Sequence, residues 1–190
     1  MRKLFIFFVL LSFSFCFSPA INAQGQKGGI KKELQEVKAG ELAPLFAMRS
    51  FDGNYIFLKK YCDVEDTRVP PALRKEKCIV VINFFSTICI PCIEELPALH
   101  RIYEKYKDKG LKMFLISIDA KPEEVLPEFI KQHNVTLPIL LDMYQKTFEK
   151  YGFESVPHTV LINKNRKILG VYQEKDVEKN LDEKLGQILK

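Results

Sequence analysis

CIVVINFFSTICIPC, residues 78–92, decides the fold. Its first part is a continuous apolar run, β-branched from Ile79 to Ile82, the pattern of a central strand covered on both faces. Beyond it Ile93, Leu96, Leu99, Tyr103 and Tyr106 recur at intervals of three or four, which predicts a helix. Pro97 inside that pattern predicts a kink. Cys89 and Cys92 therefore stand where a buried strand gives way to a helix.

That position matters chemically. A helix N-terminus leaves several backbone N–H groups without intrahelical partners and carries partial positive charge. A thiolate on Cys89 would lie over those donors and ionise readily, whereas Cys92, one turn further in, would be shielded. The asymmetry suits dithiol–disulfide exchange, with Cys89 attacking a substrate disulfide and Cys92 resolving the mixed disulfide. Pro91 stiffens the turn and omits an N–H that a first helical turn does not need.

Other readings of the pair compete. Structural zinc would need a second ligand pair, and His100, His133 and His158 do not sit beside another cysteine at ligand spacing. A structural bridge across two residues would constrain almost no chain entropy. Two soft thiolates also suit Cu(I), so a metallochaperone stays open, as does a redox-inert binding module.

Working outward, LFAMRS, FDGN and YIFL (residues 45–58) read as a hairpin turned by Asp52 and Gly53. LKMFLISI, from Leu111, is a second buried strand. PEEVLPEFIKQHN opens a helix at Pro122, and TLPILLD is a short strand. DMYQKTFEKYG predicts a helix ending at Gly152. VPHTVLINKNRKILGVY is a late hairpin, and DVEKNLDEKLGQILK an amphipathic closing helix. Strand–helix–strand order forces parallel pairing, and the late hairpin adds antiparallel strands, so an α/β fold with a mixed sheet and helices on both faces is expected.

At 190 residues, 47% hydrophobic and 28% charged, the chain suits one well-buried domain. Its start differs. Arg2 and Lys3 precede fourteen apolar or small residues, Leu4–Phe17, and SPAINA ends at Ala23. This describes a secretory signal over residues 1–23, shorter than the roughly 20 apolar residues that span a bilayer. An uncleaved anchor is the alternative. Gly-rich residues 24–36 read as a linker, and residues 37–190 as the domain. Removing the leader takes away Arg2 and Lys3 and lowers the net charge from +5 to +3. Lys and Glu are interspersed without a basic stripe, which gives nucleic-acid binding no support. An exported domain meets oxidising conditions unless something keeps its thiols reduced.

APLFAMRSFDGNYIFL, VINFFSTICIPCIEELPAL and YGFESVPHTVLINKNRKIL occur in the order of the TlpA/ResA branch of the thioredoxin-like superfamily, which the chain resembles from about Val37 to about Tyr172. The resemblance implies a thioredoxin-like fold with an N-terminal β-hairpin extension, and no cofactor. It implies that Cys89 attacks and Cys92 resolves. Pro157 aligns with the family's cis-proline, which would leave the Val156 backbone free to pair with an extended substrate segment. Glu95 matches an acidic residue that tunes the cysteines and helps move protons; a solvated carboxylate favourable to the helix dipole is the plainer reading. Asn83 stands where cytoplasmic thioredoxins have a buried aspartate.

Two departures bear on potential and substrate choice. Ile88 replaces the family's tryptophan before the first cysteine, and His158 replaces the common threonine after the cis-proline. Ile90, Pro91 and His158 are thus candidates for tuning the dithiol. His158 would act through an imidazole near the sulfurs, or else be a half-exposed strand residue. Relatives of this branch act as reductants fed by a membrane electron donor, often on disulfide-containing exported proteins in cytochrome c maturation. The resemblance implies such partners here, apocytochrome c among them, in an extracytoplasmic compartment and with a membrane tether through the N-terminus.

Cys62 and Cys78 bracket an irregular, charged, Pro-containing excursion. A bridge between them would close a loop of about 15 residues and stabilise by about 3 kcal/mol. We expect that bridge; separately buried thiols are the alternative.

Overall fold

Five strands form a sheet in the order β5-β4-β3-β6-β7: β3 (Ile79–Phe85), β4 (Leu111–Ser117), β5 (Ile139–Leu141), β6 (His158–Ile162) and β7 (Ile168–Tyr172). Strand β3 pairs in parallel with β4, which pairs in parallel with β5, whereas β6 runs antiparallel to both β3 and β7. The apolar run Ile79–Phe85 is the central strand, and all seven of its residues are buried. The computed structural model describes residues 35–64, 77–173 and 177–190. The expected leader and all but the last two residues of the expected linker lie outside the described residues, as does 65–76 of the excursion. The described residues fall within one compact unit, Glu33–Lys190. None of the described helices is long and apolar enough to cross a membrane.

Strand alternation divides the core in two. Ile79, Val81 and Phe85 face α2 (Ile90–Tyr106), α3 (Pro122–His133) and α5 (Asp182–Ile188), packing on Leu96, Leu99, Ile102, Leu126, Phe129 and Leu185. Val80, Ile82 and Phe84 face the other way. They pack on Met48 of β1 (Ala47–Arg49), Leu58 of α1 (Leu58–Tyr61), and Phe148 of α4 (Lys146–Lys150). Strands β1 and β2 (Tyr55–Phe57) form the expected antiparallel hairpin, and Gly53 in its turn has φ +92°, which disfavours any residue with a Cβ. Helices thus lie on both faces of a mixed sheet.

Several expectations need correction. The helix expected over DMYQKTFEKYG is only five residues long. The Asp142 carboxylate accepts from the Thr147 and Phe148 N–H groups, and Gln145 turns with φ +55°, so the chain spends residues 142–145 on a cap. The closing helix begins as a π-helical turn, Val177–Leu181, before α5.

The expected Cys62–Cys78 bridge is not formed; both residues keep thiols. Cys62 follows α1 and is fully buried, and burial first, with Cys78 nearby, pushes its thiol up to about 12. Cys78 instead points its Sγ at the Tyr61 carbonyl oxygen, 3.6 Å away. A thiol that is neither exposed nor ionised at neutral pH is a poor partner for oxidation.

Candidate active site

The parallel strands β3 and β4 end, and antiparallel β6 begins, at the same edge of the sheet, so their loops converge there. Cys89 sits at the N-cap of α2 with extended backbone (φ −88°, ψ 105°), the conformation an N-cap takes. Its Sγ accepts from the Cys92 N–H at 3.2 Å, the interaction expected of a sulfur at a helix mouth. Cys89 and Cys92 are joined by a disulfide, with Cα atoms 5.2 Å apart. Cys92 is buried against Leu96 and the core, Cys89 is half-buried, and Ile88 and Ile90 on either side of Cys89 are 88% and 68% exposed. Only one of the two sulfurs is thus open to a partner.

The Val156–Pro157 peptide is cis, and the Val156 carbonyl oxygen lies 3.8 Å from Cys89 Sγ. The loop that follows β3 therefore meets the loop that precedes β6 at the half-buried sulfur of Cys89.

Glu95 lies one turn beyond Cys92 on α2 and is 7% exposed, so the reading as a solvated carboxylate is set aside. The Asn83 side-chain amide donates to Glu95 Oε2 at 3.2 Å and to Thr159 Oγ1 at 2.9 Å. Asn83 and Thr159 are register partners on β3 and β6, on the sheet face that carries α2. Where a buried aspartate would place a second carboxylate against Glu95, the amide supplies a donor instead.

His158 is not beside the dithiol. Its register partner is Phe84, whose side chain lies in the opposite half of the core. It is also not half-exposed: the imidazole is 3% exposed and stacks on Phe153 with ring centroids 4.0 Å apart. Nδ1–H donates to the Ser155 carbonyl oxygen at 2.8 Å, and Nε2 accepts from the Gln173 amide. The ring therefore braces the residues leading into the Val156–Pro157 peptide. Gly152 lies close behind: a Cβ there would fall 2.3 Å from the Gln35 carbonyl oxygen, and the tight crossing brings Glu36 Oε1 to 3.8 Å from His158 Nε2.

Burial holds the His158 imidazole below its ordinary value of 6.5, against the opposing effects of Ser155 and Glu36. The neutral ring's contribution is complete above about pH 6.5 and is lost as pH falls below it toward the folded-state value. In chemical denaturation, wild type should therefore lose part of its stability advantage over His158→Asn as pH falls from 7.5 to 5. A constant gap between the two proteins would contradict the assignment of a buried neutral ring.

The sequence reading missed Asp119, just beyond β4. It accepts from Ser86 Oγ at 2.6 Å, from the Thr87 N–H at 3.2 Å and from Thr87 Oγ1 at 3.1 Å. An acid directly after a buried parallel strand was a signal available in the sequence, because loops at that edge meet at functional sites.

The sequence profile of the redoxin family matches residues 38–185. The chain belongs to the redoxin family. Among curated relatives, this redoxin is 29% identical over 188 residues to the thiol-disulfide oxidoreductase ResA of Bacillus cereus, covering 98% of this chain and 96% of that one. It is 27% identical over 135 residues to ResA of Halalkalibacterium halodurans, covering 71% and 68%. The fold matches a candidate thiol:disulfide interchange protein DsbE of Chlorobium tepidum with TM-score 0.67 at 23% identity, over 82% of this chain and all of that one. The resemblance to TlpA/ResA-like proteins and the thioredoxin-like fold read from the sequence are thereby shown, and this redoxin is a thiol–disulfide oxidoreductase.

Proposed function

We propose that the chain is an exported reductant of protein disulfides, working from the extracytoplasmic side and held near the membrane by its N-terminus. The observation that carries the exchange chemistry is the half-buried Cys89 Sγ, at the α2 N-cap with the Cys92 N–H pointed at it and the Val156 carbonyl beside it. The reductant direction and the extracytoplasmic site rest on the resemblance and on the expected leader.

In the reduced chain the Cys89 thiolate attacks one sulfur of a substrate disulfide. That S–S bond breaks, a mixed disulfide forms on Cys89, and the first substrate sulfur leaves as a thiolate and takes a proton. Cys92 then loses its proton and attacks Cys89, which closes the Cys89–Cys92 disulfide and releases the second substrate thiol. Two electrons have passed to the substrate, so a dithiol donor at the membrane must return two to the chain. Val156 offers its backbone to an extended substrate segment beside Cys89, with Pro157 removing a competing N–H. Glu95 takes the Cys92 proton. The substrate class is exported proteins that must be kept reduced, apocytochrome c among them.

The direction of flow is tested by equilibrating the chain with glutathione redox buffers and reading the Cys89/Cys92 ratio. A reductant requires a potential below about −220 mV, on the thioredoxin side of the scale. A value near about −120 mV, that of strong oxidants, would reverse the proposed direction.

A further inference from the structure

We infer that Asp119 sets the reactivity of Cys89 by fixing the loop that presents it; this rests on Cys89 being the attacking thiol. Three residues, Ser86, Thr87 and Ile88, connect β3 to Cys89. Ile88, just before the sulfur, is 88% exposed, so no apolar contact there holds the loop. Polar ties do so instead, and they converge on one carboxylate.

Oδ1 of Asp119 accepts from the Ser86 hydroxyl, the Thr87 hydroxyl and the Thr87 N–H, while Oδ2 accepts from the Thr87 N–H at 3.2 Å and from Ser117 Oγ at 2.8 Å. The Ser117 hydroxyl oxygen in turn accepts from the Asp119 N–H at 3.2 Å, which locks the carboxylate to the end of β4. The tie is relayed directly to the cysteine: the Cys89 N–H donates to the Ser86 carbonyl oxygen at 3.1 Å. Fixing Ser86 and Thr87 thus fixes the turn that places Cys89 Sγ over the Cys92 N–H. Asp119 is a positioning residue, not a catalytic one, and the effect of its removal should appear in the sulfur's ionisation as well as in stability.

The test measures iodoacetamide alkylation of Cys89 against pH in the reduced full chain, read by mass spectrometry at each cysteine. Asp119→Ala should slow Cys89 alkylation at pH 7 about tenfold, by raising the pH at which the thiolate forms. Asp119→Asn should stay within about threefold of wild type, because an amide oxygen can replace Oδ1 and the amide N–H can donate to Ser117. The double variant Ser86→Ala, Thr87→Val removes the hydroxyl ties but keeps the Thr87 N–H bonds and the carboxylate. It should slow Cys89 alkylation in the same direction as Asp119→Ala by a smaller factor, and serves if Asp119→Ala fails to fold. A wild-type alkylation profile in both Asp119→Ala and the double variant would overturn the inference. So would an equal increase in rate in the alanine and asparagine variants, since that would reveal a charge acting on the sulfur and not a held loop. Alkylation of Cys92 ahead of Cys89 in wild type would instead overturn the assignment of the attacking thiol.

Discussion

Cys89→Ser should abolish reduction of a protein disulfide, with turnover falling by roughly 10⁴-fold or more. Serine keeps the size of the side chain and can still accept from the Cys92 N–H, so the fold should persist. It has no ionised form near neutral pH with which to attack a disulfide, and Cys92 is too buried to replace it. Cys92→Ser should behave differently. Attack by Cys89 still breaks the substrate disulfide, but nothing resolves the product, and the chain should accumulate as a mixed disulfide visible on a non-reducing gel and in an intact-mass measurement. If Cys89→Ser retained turnover while Cys92→Ser lost it without trapping substrate, the roles of the two sulfurs would be exchanged.

Glu95→Gln should lower turnover by about 10²-fold, the usual contribution of a positioned proton-transfer group. The glutamine can keep an oxygen facing the Asn83 amide, which now donates to Oε2 at 3.2 Å, so the change removes the carboxylate with little change of shape. The loss should fall on resolution, because Cys92 is the buried thiol and has to shed its proton before it attacks. Stopped-flow measurement should therefore show a nearly normal first step and a slowed second one. Equal slowing of both steps would contradict the proposed role.

The sequence made the central architecture legible because its signals were local and strong. The apolar, β-branched run from Ile79 reads as an inner strand, and the spacing from Ile93 to Tyr106 reads as one helix face. Placement of Cys89 at the helix mouth followed from those two alone. What escaped was set by contacts between distant residues. The short α4 reflects the Asp142 carboxylate competing for the first N–H groups, a tertiary preference that helical spacing does not encode. His158 follows Pro157 and so stands in the sequence either as a neighbour of the sulfurs or as a half-exposed strand residue. It is neither, because the period of two along β6 turns consecutive side chains to opposite faces and carries His158 into the core away from the sulfurs. Thr159, not His158, therefore meets the Asn83–Glu95 pair. Asp119 lies 30 residues from Cys89 in the chain (119 − 89), and only the parallel pairing of β3 with β4 brings it to the active-site loop.

The most direct test of the central claim is the ionisation of Cys89 in the reduced protein, followed by ultraviolet thiolate absorbance and by pH-dependent alkylation. A sulfur held over the first N–H groups of α2 should titrate below about pH 7.5, with Cys92 remaining a thiol to much higher pH. A Cys89 that titrates at about 8.5 or above, like a thiol in free solution, would contradict the account.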